Sequence, residues 1–208
     1  MKARPILFTP ENAQKVHDGA KTQTRRIVKP QPPANCDKPM FDAAGYGFFY
    51  EQPDSDGDAL DVWPEGSDGI KCLYGMVGDR LWVREAWRVF GGLEYEYQQH
   101  LPSVRYRGDI SDALEYLQAE WRPSIHMPKW ACRTWLDLTA VRVERLQDIT
   151  EDDARAEGCA PVVHDKDGAV DCGTRKTIFR QLWESIHGPG SWGENPWVWV
   201  LEFKRMQP

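Results

Sequence analysis

The sequence has no apolar run of membrane-spanning length, no C-x-x-C pair, no internal repeat and no regular alternation of strands with crossover helices. Each absence excludes something. A spanning helix needs about 20 mostly apolar residues, so none is expected. The opening MKARPILFTP lacks the apolar core of a signal peptide, and the chain reads as cytoplasmic with no membrane partner. The five cysteines, Cys36, Cys72, Cys132, Cys159 and Cys172, are odd in number and unsuitably spaced for a zinc knot or a disulfide framework. They read as free thiols. His164 beside Asp165 and Asp167 has no second His or Cys at ligand spacing, so no metal is expected, and no cofactor motif is present. The missing βαβ units argue against a doubly wound fold.

What is present is apolar and aromatic material. Hydrophobic residues make up 41% of the 208, aromatics 12%, and there are ten tryptophans. That is enough to build a core, and tryptophans on this scale suit core or cleft walls. The net charge of −6 argues against a surface coated with nucleic acid. The charge is uneven, however. Residues 1–35 carry seven Lys/Arg against two Asp/Glu, while residues 51–69 carry seven acids and no Lys or Arg. A basic face of this kind can hold a phosphate or can simply be solvated.

Along the chain, RPILF at 4–8 reads as a strand. Thr9 then caps a helix that begins with Pro10 and stops at Gly19. Pro30–Gly69 is rich in Pro, Gly and Asp and reads as a long insertion, the least ordered part of the chain. Gly78-Asp79 is a turn into a strand at 81–89, which places Glu85 on the apolar face, where it needs a partner. Ser111 is expected to cap a helix reaching about Trp121. Residues 135–145 form a β run. Thr150, with Asp153 three residues on, opens a helix ended by Gly158. Thr174–His187 is an amphipathic helix, and WVWVLEFKR at 197–205 is the clearest strand. The expected fold is one α+β domain over 1–208.

Gly19-Ala20-Lys21-Thr22-Gln23-Thr24-Arg25-Arg26 concentrates the chemistry. If extended, it directs Lys21, Gln23 and Arg25 one way and Thr22, Thr24 and Arg26 the other. A turn would instead bring Lys21 near Thr24. A hydroxyl beside a lysine whose pKa is lowered by burial is a nucleophile beside its base. The bland alternative is a basic loop. Arg26 suits a phosphate or an oxyanion. Arg84 and Glu85 either line a cleft or pair with each other. His126, Trp130 and Arg133, near Pro123 and Pro128, suit base stacking and phosphate contact.

Gly19, Lys21 and Arg26 match the pattern G-x-K-x-x-x-x-R, and through it the chain resembles ASCH-domain proteins. The likeness extends through the G-D turn, the β run at 135–145, the helix beginning Thr150-Glu151 and the strand Val198–Lys204, about half of the chain. Segments near 31–75, 90–130 and 159–173 fall outside it and read as insertions. The longer form, with RPSIHMPKW, is similar to the prophage-associated branch. The resemblance implies a PUA-like mixed β-barrel flanked by short helices, with RNA or a modified nucleoside as partner. One ASCH branch hydrolyses N(4)-acetylcytidine. Its lysine and threonine correspond to Lys21 and Thr24, and its glutamate corresponds to Glu157. Many ASCH proteins have Glu where Thr24 stands, and Thr24 follows the amidohydrolase version. The implied activity is amide hydrolysis of an N(4)-acylated cytidine-type substrate. A non-catalytic RNA-binding module, with Lys21, Arg25 and Arg26 on phosphates, and an RNA-cleaving enzyme using the same cleft are the alternatives. For Lys21 to act as base, desolvation or the charges of Arg25 and Arg26 must lower its pKa, and the arginines or apolar walls are expected nearer to it than Glu157, because a close carboxylate raises a lysine pKa. The oligomeric state is left open.

Overall fold

The computed structural model describes residues 1–32, 70–88, 106, 121–160 and 173–206 in full, and the backbone of strands at 39–41, 48–53, 59–62, 87–90 and 103–106. Its centre is a five-stranded mixed sheet. In chain order the strands and helices are β1 (Ala3–Leu7), α1 (Pro10–His17), β2 (Gln23–Ile27), β3 (Pro39–Phe41), β4 (Phe48–Pro53), β5 (Ala59–Val62), β6 (Arg80–Arg84), β7 (Trp87–Phe90), β8 (Ser103–Tyr106), β9 (Trp135–Arg145), α2 (Glu151–Ala156), α3 (Arg175–His187) and β10 (Trp197–Arg205). The main sheet runs β1-β6-β9-β10-β2, with β1 and β6 parallel and the other pairs antiparallel. β3-β4-β5 and β7-β8 form two small sheets. The fold is α+β with few, short helices. Among the described residues the main sheet is open, with β1 and β2 as its edges.

The alternation of β10 explains the two-sided core. Trp197, Trp199, Leu201 and Phe203 join Ile6, Leu81, Val83 and Leu136 on one face, packed beneath α1. Val198 and Val200 meet Leu146, Ile149, Phe179 and Trp183 on the other, beneath α2 and α3. A strand buried on both faces reads as a nearly continuous apolar run, as WVWVL does.

The helix boundaries follow their caps. Thr9 Oγ accepts from the Asn12 N–H at 3.3 Å, with Pro10 opening α1. Thr150 and Asp153 form a reciprocal capping box on α2. At the other end, Gly158 has φ +82°, the Gly158 N–H donates to Arg155 O (2.9 Å), and the Cys159 N–H donates to Ala154 O (3.0 Å). This left-handed stop fixes Glu157 as the C-cap residue. The expected single strand over 81–89 is two strands, broken at Glu85-Ala86, where Glu85 turns inward. β3, β4 and β5 lie within the segment read as an insertion without strands. The expected helix near 111–121 and the loop with His164 lie outside the described residues.

Candidate functional site

The loop after α1 is tied down at three points. The Lys21 N–H donates to Lys15 O (3.0 Å), the Thr22 N–H to Ala156 O (2.8 Å), and the Phe203 N–H to Thr22 O (3.0 Å). Sequence-distant elements thereby hold an otherwise polar loop in place. The extended alternative holds from Gln23 onward: β2 pairs Thr24 with Leu201, Arg25 with Val200 and Arg26 with Trp199. Thr24 and Arg26 share the face of the α1-side core, and Arg25 shares the face of α2 and α3.

A cavity of about 350 Å³ opens at this sheet edge, between β2, the stretch Leu7–Asn12 after β1, and α3. Lys21, Thr24 and Glu157 all line it, and their exposures are only 3%, 5% and 2%. Lys21 Nζ donates to Glu157 Oε2 at 2.5 Å and to the Glu157 carbonyl oxygen at 2.9 Å. The ammonium thus caps the end of α2 and neutralises its carboxylate together. Lys21 carries three donors, and among the described residues these two contacts leave one unused. Burial lowers the Lys21 pKa below its ordinary value; contact with Glu157 opposes the shift, and the Arg26 charge assists it. The expectation that Glu157 stands farther from Lys21 than the arginines is overturned. The αL stop at Gly158 places Glu157 directly against Lys21, while burial, one of the two means expected, is the largest influence that lowers its pKa.

Thr24 makes no hydrogen bond through its hydroxyl among the described residues, and none joins it to Lys21. Arg25 is fully buried and surrounded by carboxylates: Glu144 at 3.2 Å, Asp153 at 3.3 Å and Glu157 at 3.4 Å. Its guanidinium lies 5.8 Å from the Phe179 ring centroid. Arg26 is half-buried, donates to the Leu7 carbonyl and lies 5.1 Å from the Phe8 ring centroid, so it bridges the two open edges of the main sheet.

The remaining sequence candidates lie elsewhere. Arg84 donates to the Ile125 carbonyl and stacks near Trp82. Glu85, buried as its position on the apolar face requires, takes a two-pronged contact from Arg133 at 2.9 and 2.8 Å. Arg133 also lies 4.0 Å from the Tyr106 ring centroid. His126 is exposed, and Trp130 is 58% exposed with its ring edge-on to Trp87. None of these five is among the described residues that line the cavity.

The structure adds residues that sequence reasoning missed. Asn12 lines the cavity at 7% exposure. Phe179 and Trp183 form an aromatic wall, and His187 at its rim stacks on Trp183 with ring centroids 4.1 Å apart. The wall was visible as the apolar stripe of α3, but a stripe of this kind does not tell core from cleft. Asn12 left no signal, being one polar residue in the first turn of a short helix.

No family model, curated protein or solved structure matches this chain.

Proposed function

We propose that the chain is an ASCH-type protein of PUA-like architecture and that the cavity hydrolyses the amide of an N(4)-acylated cytidine-type substrate. One observation carries the reading: Lys21, Thr24 and Glu157, drawn from a loop, a strand and a helix end, line a single cavity. In the reaction, neutral Lys21 accepts the Thr24 hydroxyl proton as Thr24 Oγ attacks the acyl carbonyl. The tetrahedral intermediate collapses, the C–N bond breaks, and the proton passes through Lys21 or Glu157 to the departing exocyclic amine. Water, deprotonated by the same lysine, then cleaves the acyl–threonine ester, giving the free acid and restoring Thr24.

The charge pattern supports a nucleoside over an RNA strand. Of the three Lys/Arg side chains among the described residues that line the cavity, Lys21 and Arg25 are already matched by Glu157, Glu144 and Asp153, and Arg26 alone is held by a neutral carbonyl, that of Leu7. A groove that tracks a phosphate backbone needs cations left unmatched.

The test is incubation of purified protein with N(4)-acetylcytidine and, separately, with single-stranded RNA, followed by mass spectrometry. The expected products are cytidine and acetate from the nucleoside, none from Thr24→Ala, and intact RNA. Shortened RNA with untouched nucleoside overturns the reading in favour of an RNA-cleaving enzyme.

A further inference from the structure

Asn12 is the third residue of α1, and its backbone N–H is taken by the Thr9 hydroxyl at 3.3 Å. Its carboxamide, with two donor hydrogens and an acceptor oxygen, has no hydrogen-bond partner among the described residues. It is nonetheless 93% buried, being 7% exposed. Neither amide atom is among the described polar atoms that are shut off from water without a partner, so the carboxamide faces the open space of the cavity rather than apolar core. The neighbouring inward positions of α1 are filled by Ala13 and Val16, each 1% exposed, as an ordinary core would demand. Asn12 is therefore placed for something that enters the cavity, which it lines together with Thr24, whose hydroxyl also has no partner among the described residues.

We propose that Asn12 is the specificity-determining residue of this site: its carboxamide reads the edge of a neutral, planar heterocycle that presents a hydrogen-bond donor and an acceptor side by side. The inference rests on the cavity being the substrate site, as proposed above, and names the chemistry by which that site selects its ligand. A side-chain amide offers a donor and an acceptor in one plane and pairs two-pronged with such an edge, as it does with a nucleobase. The ring's faces meet Phe179 and Trp183, which supply a stacking surface. The matched charges of Lys21 and Arg25 leave the ligand neutral at this end. An N(4)-acylated cytosine has such an edge in its ring N3 and exocyclic N–H, with the acyl carbonyl beside it for Thr24.

The experiment measures binding apart from turnover. N(4)-acetylcytidine is titrated calorimetrically into Thr24→Ala protein and into the same protein carrying Asn12→Leu or Asn12→Asp, with melting temperatures recorded on each. Asn12→Leu is expected to weaken binding about 10- to 100-fold while the melting temperature holds, because no hydrogen bond within the protein is lost. A purely structural asparagine would instead lower the melting temperature and leave affinity alone. Asn12→Asp keeps the shape, removes the donor, and is expected to weaken binding at least about tenfold, which provides the test if the leucine variant does not fold. Unchanged affinity in a folded variant, with hydrolysis intact in the parent protein, overturns the role of Asn12 alone. Absence of nucleoside binding to both the parent and Thr24→Ala overturns this inference together with the reading beneath it.

Discussion

Lys21 Nζ sits 2.5 Å from a carboxylate oxygen of Glu157 and 2.9 Å from the carbonyl oxygen of the same residue. One ammonium thus satisfies a helix end and a buried anion, and both partners are almost fully enclosed. The pair is held by chain segments 136 residues apart, so it forms only when the fold does. Substitutions here therefore alter stability and chemistry together, and the tests must separate the two.

Glu157→Gln leaves Lys21 buried without its counter-charge. The expected loss is about 3–5 kcal/mol in urea unfolding near neutral pH. Losing the influence that raises the lysine pKa pushes it further below its unfolded value. Between a lowered folded pKa and the unfolded value of about 10.4, only the unfolded state holds the proton, so stability rises with pH there. The deficit of Glu157→Gln relative to the parent should therefore shrink as pH climbs toward 10. A deficit independent of pH would mean that the lysine charge is not its source.

Asp153 gives the opposite pH behaviour. Burial favours its neutral form, but the Thr150 backbone N–H and hydroxyl, the Gln23 amide and the Arg25 charge outweigh burial and hold its pKa down at about 2. A depressed carboxylate contributes stability that is full above its unfolded pKa, near 4, and is lost as pH falls through the folded value. Asp153→Asn should cost stability at pH 6 and lose most of that difference by pH 2, measured by urea midpoints across the range. An equal penalty at both ends would assign its effect to the capping hydrogen bonds rather than to charge.

These contacts show what the sequence carried and what it did not. The caps were legible because Thr9-Pro10, Thr150 with Asp153, and Gly158 act within one turn of chain. β10 was legible because its side chains alternate between two buried faces. The convergence of Lys21, Thr24 and Glu157 was an expectation of the motif, and no local pattern contains it: the Thr22 N–H to Ala156 carbonyl bond that draws the loop to α2 spans 134 positions. Glu85 was seen to need a partner, and Arg133 was named beside it, yet as a cleft residue rather than as that partner. β3, β4 and β5 were hidden by the surrounding Pro, Gly and Asp, whose turn signals outweigh strands only three to six residues long. Asn12 became visible only through the space in front of it.

Gly158 is a structural control on the site. A Cβ there would lie 3.1 Å from Lys15 Cδ and 3.2 Å from Lys21 Cβ, on a backbone with φ +82°. Gly158→Ala should cost about 1–2 kcal/mol from the left-handed conformation alone, or a few degrees of melting temperature for a chain of this size. Because the added methyl presses on Lys21, the loss of hydrolysis should exceed that of an equally destabilising substitution remote from the cavity. Equal losses would show that the loop position of Lys21 is not critical.

The pH dependence of hydrolysis tests the base directly. If Lys21 must be neutral, kcat/KM rises with pH up to the lysine pKa, which burial places below the ordinary 10.5. Two of the side chains that act on Lys21 pull in opposite directions: Glu157 raises its pKa and Arg26 lowers it. Arg26→Gln should therefore move the rising limb to higher pH, and Glu157→Gln should move the limb of its residual activity lower. Loss of a substrate contact would change the height of the profile but not its midpoint, and no single electrostatic side effect predicts shifts of opposite sign. Lys21→Arg completes the set, since a guanidinium stays protonated across the range and cannot serve as base. It should remove the rising limb along with turnover. Full activity in Lys21→Arg, or a limb unmoved by both neighbouring substitutions, would make Lys21 a structural cap of α2 and send the search for the base to His187, the cavity's other titratable nitrogen, whose pKa burial and the Arg26 and Lys29 charges lower.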